Sequence, residues 1–95
     1  MNVLEVSYDL RSPGRNYSQL YEALRSYHNW CHPLESLWVV VSPDNSKAVR
    51  DKLLSHLDRN DGLFVTTLTG EAAWYGLSDE VSRWLSENLT TAGRF

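Results

Sequence analysis

One carboxylate followed closely by two arginines is the first group of residues here whose types could do chemistry. The stretch "VSYDLRSPGRNY" (6–17) places Asp9 directly after an apolar run, and Arg11 and Arg15 follow it in a loop with a Pro-Gly pair. Carboxylates from two chains could share a Mg²⁺ ion, which takes oxygen ligands, keeps several waters and binds substrate phosphate. The ion would activate water for hydrolysis, while Arg11 and Arg15 would hold the phosphate by forked hydrogen bonds.

Asp9 also has a purely structural interpretation. An aspartate at the end of a strand can accept hydrogen bonds from the backbone amides of the following loop, here "LRSPG" (10–14). One carboxylate per chain makes a poor metal site unless further ligands join it. Both interpretations of Asp9, metal ligand and strand terminus, therefore stay open.

A second group, His28, Cys31 and His32, suggests zinc by its residue types. Structural zinc needs four ligands and catalytic zinc needs three plus water, but no other cluster supplies the rest and His56 is isolated. A Cys-His nucleophile would need an orienting third group and an oxyanion site, neither of which the sequence suggests. We therefore interpret these histidines as structural or surface residues.

The aromatic residues and the net charge limit the nucleic-acid interpretation. Four tryptophans and five tyrosines could stack bases, but they lack an RNP-type motif and interleaved basic residues. The net charge is −3 with no cluster of Lys or Arg, which counts against strong non-specific binding but leaves room for a small local site. Trp84 lies on the apolar face of a predicted helix and is expected in the core, whereas Trp38 is expected at an interface.

Hydrophobic alternation predicts the strands that would position Asp9. Residues 3–8 alternate, which places Asp9 on the same face as Glu5 and Ser7. "LESLWVVVS" (34–42) is predicted as a strand with large apolar side chains on both faces. "LFVTTLT" (63–69), which is rich in β-branched residues, is predicted as a further strand. "AAWYG" (72–76) is interpreted as either a short strand or a bent loop.

Three helices are predicted between and after these strands. The first covers about 17–28 and is capped by Asn16; Pro33 ends that region. The second is capped by Asp44 or Ser46 and runs to about residue 57. The third, residues 79–88, is capped by Ser78, and residues 90–95 are expected to form a disordered tail.

These elements predict a single domain over residues 1–95, an α+β or α/β sandwich with helices on one face of the sheet. The other face would carry Asp9 with Trp38, Val40 and Phe64, and such apolar residues would be exposed in a monomer. We therefore expect a homodimer that packs through this open face. The single cysteine and the lack of a signal peptide or a long apolar stretch predict a cytoplasmic protein with no membrane partner.

The opening "VLEVSYDL", with its Arg-containing loop and helix, resembles the small CRISPR-associated adaptation proteins of the Cas-two type. The likeness continues through "ESLWVVVS" and "NDGLFVTTL". The sequence is also similar to a set of small bacterial and phage proteins labelled "SinR family", through "SYDL…PG.NY" and "NW.HPL.S.W". The resemblance covers roughly residues 3–70, and the later "AAWYGLSDEVSRWL" fits only the second set.

The resemblance to the Cas-two type implies a ferredoxin-like α+β sandwich with an antiparallel sheet that dimerises through its open face, and several members of that family are described as metal-dependent endonucleases. It implies that Asp9 is a metal ligand facing its symmetry mate, with Mg²⁺ or Mn²⁺ as cofactor and RNA or DNA as partner.

The residues and the resemblance together lead to two hypotheses about function. The first is a Cas-two-like nuclease or nucleic-acid-binding factor that uses Asp9, Arg11 and Arg15. The second is a non-catalytic dimeric module that binds a protein or a small ligand, with Asp9 structural.

Overall fold

The computed structural model describes residues 1–89, so the predicted tail at 90–95 lies outside the described residues. It contains four strands and three helices, which confirms the α+β class. Their order along the chain is β1 (Asn2–Asp9), α1 (Ser18–Arg25), β2 (Asn29–Leu34), β3 (Leu37–Ser42), α2 (Ser46–Leu54), β4 (Gly62–Thr67) and α3 (Asp79–Asn88).

The four strands form one sheet in the order β2-β3-β1-β4, and every neighbouring pair is antiparallel. The predicted antiparallel sheet is therefore confirmed. With α1 between β1 and β2 and α2 between β3 and β4, this arrangement is compatible with a ferredoxin-like fold. The sheet brings the end of β1, which carries Asp9, beside the start of β4 at Gly62.

Strand β2 was not predicted from the sequence. Pro33 indicated the end of a helix, but the structure places it inside this strand. A proline is tolerated there because β2 is at the edge of the sheet and its pairing with β3 is irregular between Cys31 and Leu34. The outer strand next to α3 therefore has the sequence "NWCHPL".

The main core lies between one sheet face and helices α1 and α2. Val6 pairs with Trp38 and Leu4 with Val40 across β1 and β3, so all four side chains share this face. Trp38 is only 2% exposed and Val40 is 0% exposed. The alternation in the sequence predicts these two residues on the open face. The structure corrects that placement, because the β1–β3 register puts them beside the buried residues of β1 and not beside Glu5, Ser7 and Asp9.

The second sheet face is covered in part by the chain itself. Leu85 and Leu89, at the C-terminal end of α3, pack with Cys31 and Val39 in a second, smaller core. The prediction that helices cover one face only is therefore wrong. This packing leaves the β1–β4 side of the second face exposed, and Phe64 on that side is 62% exposed.

Side-chain caps define where α2 and α3 begin. Ser78 accepts a hydrogen bond from the backbone amide of Val81 at 3.1 Å, as predicted for the start of α3. For α2 the sequence left a choice between Asp44 and Ser46, but the residue between them, Asn45, is the cap. The region 72–76 is a loop.

Candidate functional site

Asp9 lies at the exposed end of β1 and forms an ion pair within its own chain. Arg11 Nε donates to Asp9 Oδ2 at 3.0 Å, and the two side chains are 56% and 69% exposed, respectively. An ion pair this exposed to solvent contributes less than about 1 kcal/mol to stability. The carboxylate is thus accessible, but one of its oxygens already has a donor.

Arg11 is held across the turn that precedes β4. Its backbone amide donates to Asp61 Oδ1 at 2.7 Å, and its Nη1 donates to the carbonyl oxygen of Asn60 at 3.1 Å. The guanidinium also lies close against Gly62, where an added Cβ would come within 3.2 Å of Nη2. Arg11 therefore links the end of β1 to the loop before β4.

Asp61 is the centre of this linkage, although it is not among the site residues predicted from the sequence. Its carboxylate accepts from the backbone amides of Arg11 and Asp58, and the Tyr17 hydroxyl lies 2.9 Å from both of its oxygens. Burial raises the pKa of Asp61, but these hydrogen bonds and the charge of Arg15 together bring that pKa below its ordinary value. The only sequence signal was a turn, "DRNDG" (58–62), in which such an aspartate is common.

Arg15, the second predicted phosphate contact, lies beside another carboxylate. Its Nη1 is 3.8 Å from Asp58 Oδ1, and its guanidinium carbon is 5.5 Å from the centre of the Tyr17 ring. Ser12 Oγ donates to the other oxygen of Asp58 at 2.9 Å. The structure brings Asp9, Arg11 and Arg15 into one loop region, but it pairs each arginine with a carboxylate of its own chain.

The donor set around Asp9 does not fit a metal ion held by one chain. Within residues 1–89, no group of three or more His, Cys, Asp or Glu side chains is placed to hold a metal. Mg²⁺ or Mn²⁺ at Asp9 would require Arg11 to release the carboxylate and a second chain to supply another.

Of the three predicted interface residues, only Phe64 lies at the surface. It is opposite Ser7 in the β1–β4 pairing, so it shares the second sheet face with Ser7 and Asp9. Trp38 is in the core, where the ring of His32 stacks on it at 4.0 Å between ring centres. Val40 is buried beside it.

The Cys-His group is not arranged for nucleophilic chemistry. Cys31 is 7% exposed, and burial raises the pKa of its thiol to about 12, so it remains protonated near neutral pH. His32 Nε2 donates to the carbonyl oxygen of Glu35 at 3.0 Å. Both residues instead form part of a cleft at the edge of the sheet.

This cleft lies between β2 and α3 and has a volume of about 340 Å³. It is lined by two half-buried tryptophans, a buried thiol, a histidine, a carboxylate and a valine: Trp30, Trp84, Cys31, His32, Glu80 and Val81. We call it the tryptophan cleft. The sequence does not indicate this cleft, because local patterns do not predict β2 and nothing else places Trp30 near α3.

No protein-family model matches this chain, and comparison with curated proteins finds no significant relative. Among the described helices, none has the length and apolar character needed to cross a membrane.

Proposed function

We propose that this chain is a homodimeric, non-catalytic binding module with a ferredoxin-like sandwich fold, in which Asp9 is structural. The observation that carries the proposal is the set of hydrogen bonds joining the loop after β1 to the loop before β4. Arg11 donates to Asp9, to Asn60 and, through its backbone, to Asp61. These contacts give the acidic and basic residues of this region a role in holding two loops together.

The dimer in this proposal forms through the exposed part of the second sheet face. Phe64 projects from it at 62% exposure, and its strand neighbours Ser7 and Thr66 on that face are half-buried and uncharged. In a two-fold dimer, Phe64 would pack near its counterpart and be removed from water. The proposed dimer interface therefore contains Phe64 but not Trp38 or Val40.

The oligomeric state tests this directly by sedimentation velocity. We expect a wild-type dimer and a monomeric Phe64→Glu variant, because two buried like charges would oppose association. The matched control is Tyr75→Glu, which changes another exposed aromatic residue, 98% exposed in the 72–76 loop. A wild-type monomer over the accessible concentration range, or a dimer that Phe64→Glu leaves intact, would contradict the proposed interface.

The second candidate is the Cas-two-like metal-dependent endonuclease or nucleic-acid-binding factor. One observation favours it: Asp9 is 69% exposed and lies on the same sheet face as Phe64, so a dimer through Phe64 would bring two carboxylates toward one another. Mg²⁺ or Mn²⁺ would be the metal. Arg11 and Arg15 would have to exchange their own carboxylates for phosphate.

Cleavage of labelled single-stranded RNA and double-stranded DNA separates the two candidates. Purified protein is incubated with Mg²⁺, Mn²⁺ or chelator, together with Asp9→Ala and the control Asp51→Ala, which removes an exposed carboxylate on α2. The binding-module proposal expects no metal-dependent cutting. Metal-dependent cutting that is lost in Asp9→Ala and kept in Asp51→Ala would overturn it in favour of the nuclease.

A further inference from the structure

We propose that the outer edge of β4 pairs with the same edge of a second copy of this chain, about a two-fold axis at Val65. This deepens the proposed function, because it rests on the homodimer and names the backbone groups that join its two copies. Within residues 1–89 the sheet has two edge strands, β2 and β4. The outer side of an edge strand presents N–H and C=O groups to which a further strand can bind.

Only the β4 edge is suited to a further strand. β2 contains Pro33, which has no N–H group, and its pairing with β3 is irregular between Cys31 and Leu34. Both features discourage the addition of a strand. β4 has the sequence "GLFVTT", with no proline and no charged residue, and it pairs with β1 in an unbroken register. It is therefore a regular, uncharged edge strand.

The β1–β4 pairing shows which backbone groups of β4 point away from the sheet. The amide of Leu68 donates to the carbonyl oxygen of Val3 at 2.8 Å. In an antiparallel ladder, hydrogen-bonded pairs of this kind recur at every second residue. Phe64 and Thr66 therefore direct their backbone groups toward β1, and the residues that alternate with them direct theirs outward.

The outward groups of β4 are the backbone N–H and C=O of Leu63, Val65 and Thr67. Within residues 1–89, no hydrogen bond reaches any of these groups. They form a row of alternating donors and acceptors along the open side of the strand. Such a row can add a strand by main-chain hydrogen bonds alone.

This row of groups is complementary to a second copy of itself. In an antiparallel pair centred on Val65, the backbone of Val65 meets that of the partner's Val65. Leu63 is then opposite the partner's Thr67, and Thr67 is opposite the partner's Leu63. Each of these is a hydrogen-bonded pair, so every outward N–H and C=O group of both copies finds a partner.

The same register brings the exposed aromatic residue of β4 to its counterpart. Phe64 is 62% exposed and lies on the second sheet face. With Val65 on the axis, Phe64 is opposite the partner's Thr66 and diagonal to the partner's Phe64. Diagonal neighbours in an antiparallel pair are about 7–8 Å apart, which is within reach of aromatic side chains. The two phenyl rings would therefore cover one another.

Helix α2 offers a further apolar contact on the opposite face. Leu54 is 50% exposed and lines a cleft of about 360 Å³ with Leu57 and Leu63. This side of α2 is turned away from α1, because Lys52, on the other side, lies over the Tyr27 ring that follows α1. Leu54 thus overhangs the open edge, where the second copy would cover it.

The charges near the edge are compensated within each chain. Arg50 also lines this cleft and would approach its counterpart near the axis. Its Nη2 is 2.9 Å from Asp51 Oδ1, so its charge is already offset. Repulsion between the two copies is reduced accordingly.

Amide hydrogen exchange of the full chain tests the edge pairing. It is measured by NMR above and below the midpoint of dimer dissociation found by sedimentation. The outward amides of Leu63, Val65 and Thr67 should exchange at least about tenfold more slowly in the dimer, because only the second copy gives them acceptors. The amides of Phe64 and Thr66 are the control in the same strand, since their hydrogen bonds to β1 exist in both states.

Two outcomes of this measurement would overturn the proposal in distinguishable ways. Equal exchange of the outward amides in dimer and monomer would overturn the edge pairing and leave the proposed homodimer in place. A chain that is monomeric at every concentration would overturn the homodimer as well.

Thr67→Pro tests the same pairing by removing one outward N–H group without removing a hydrogen bond between β4 and β1. Its dimer dissociation constant, measured by sedimentation equilibrium, should be at least about tenfold higher, because each copy loses a donor to the other. Protection of the Phe64 and Thr66 amides confirms that this variant folds.

Ser46→Ala is the matched control for Thr67→Pro. The Ser46 hydroxyl lies 3.1 Å from Thr67 Oγ1, so this variant loses the same side-chain contact but no backbone donor. Its dissociation constant should stay within about twofold of the wild-type value. Equal dissociation constants for Thr67→Pro and Ser46→Ala would overturn the proposal.

Discussion

The indole Nε1 of Trp38 donates a hydrogen bond to the hydroxyl oxygen of Tyr8 at 2.9 Å, inside the core beneath α1 and α2. The Tyr8 hydroxyl in turn donates a hydrogen bond to the carbonyl oxygen of Glu35 at 3.2 Å. Both polar atoms therefore have a hydrogen-bond partner inside the core. The pair also joins β1 to β3 by a side-chain contact in addition to the sheet hydrogen bonds.

Tyr8→Phe should reduce the free energy of unfolding by about 1–3 kcal/mol, because it leaves the buried Trp38 Nε1 without an acceptor. Urea unfolding monitored by tryptophan fluorescence measures this. Tyr21→Phe is the control: Tyr21 stacks on Trp38 at 6.4 Å between ring centres, so its ring contact is kept. A Tyr8→Phe protein as stable as Tyr21→Phe would show that the indole nitrogen finds another partner.

Asp61 should make the stability of the protein depend on acid pH. Its pKa is depressed in the folded state below the ordinary 3.8, since hydrogen bonds from Arg11, Asp58 and Tyr17 outweigh burial. A depressed folded pKa contributes stability that is present above the unfolded pKa and is lost as the pH falls through the folded pKa. Asp61→Asn should be less stable at neutral pH and lose less stability than the wild type below about pH 4.

Tyr17→Phe provides the companion measurement for this effect. It removes one donor to Asp61 and should raise the pKa of that carboxyl toward its ordinary value, as followed by carbon NMR during an acid titration. Parallel stability curves for the wild type and Asp61→Asn in acid, or an unchanged Asp61 pKa in Tyr17→Phe, would count against Asp61 as the centre of the loop linkage.

Cys31 should be unreactive in the folded protein. With a thiol pKa of about 12 in place of the ordinary 9.0, the thiolate fraction near pH 8 falls by about a thousandfold, and burial restricts access further. Modification with Ellman's reagent should therefore be slow in buffer and fast in denaturant. Equal rates under the two conditions would show that β2, the strand that carries Cys31, opens readily.

Ser78→Ala should lower the free energy of unfolding by about 1 kcal/mol, because the amide of Val81 loses its acceptor at the start of α3. Ser86→Ala is the matched control, since Ser86 is exposed within the same helix and alanine is the better helix former. Thermal unfolding followed by circular dichroism compares them. If both substitutions have the same effect, the cap does not hold α3 against the sheet.

Local sequence patterns were sufficient for most of the elements. Ser78 and the apolar spacing after it identified α3 over the observed residues, and the alternation in residues 3–8 identified β1. Strand β2 is not predicted from the sequence, because by local rules its proline indicates the end of an element. Only the position of β2 at the edge of the sheet makes that proline acceptable.

The candidate site residues can likewise be divided into those whose position the sequence predicts and those whose position only the tertiary structure determines. The sequence by itself determined which side chains alternate along each strand, and so placed Asp9 correctly with Ser7. It did not determine which set of β3 side chains joins which set of β1, because a shift of one residue in register exchanges the two faces of a strand. The β1–β3 register, which sets Val6 opposite Trp38, is fixed only by the tertiary structure. It places Trp38 in the core and not at the expected interface. Tertiary structure likewise placed α3 beside β2, so that Trp30 and Trp84, which are 54 residues apart in the chain, both border one cleft.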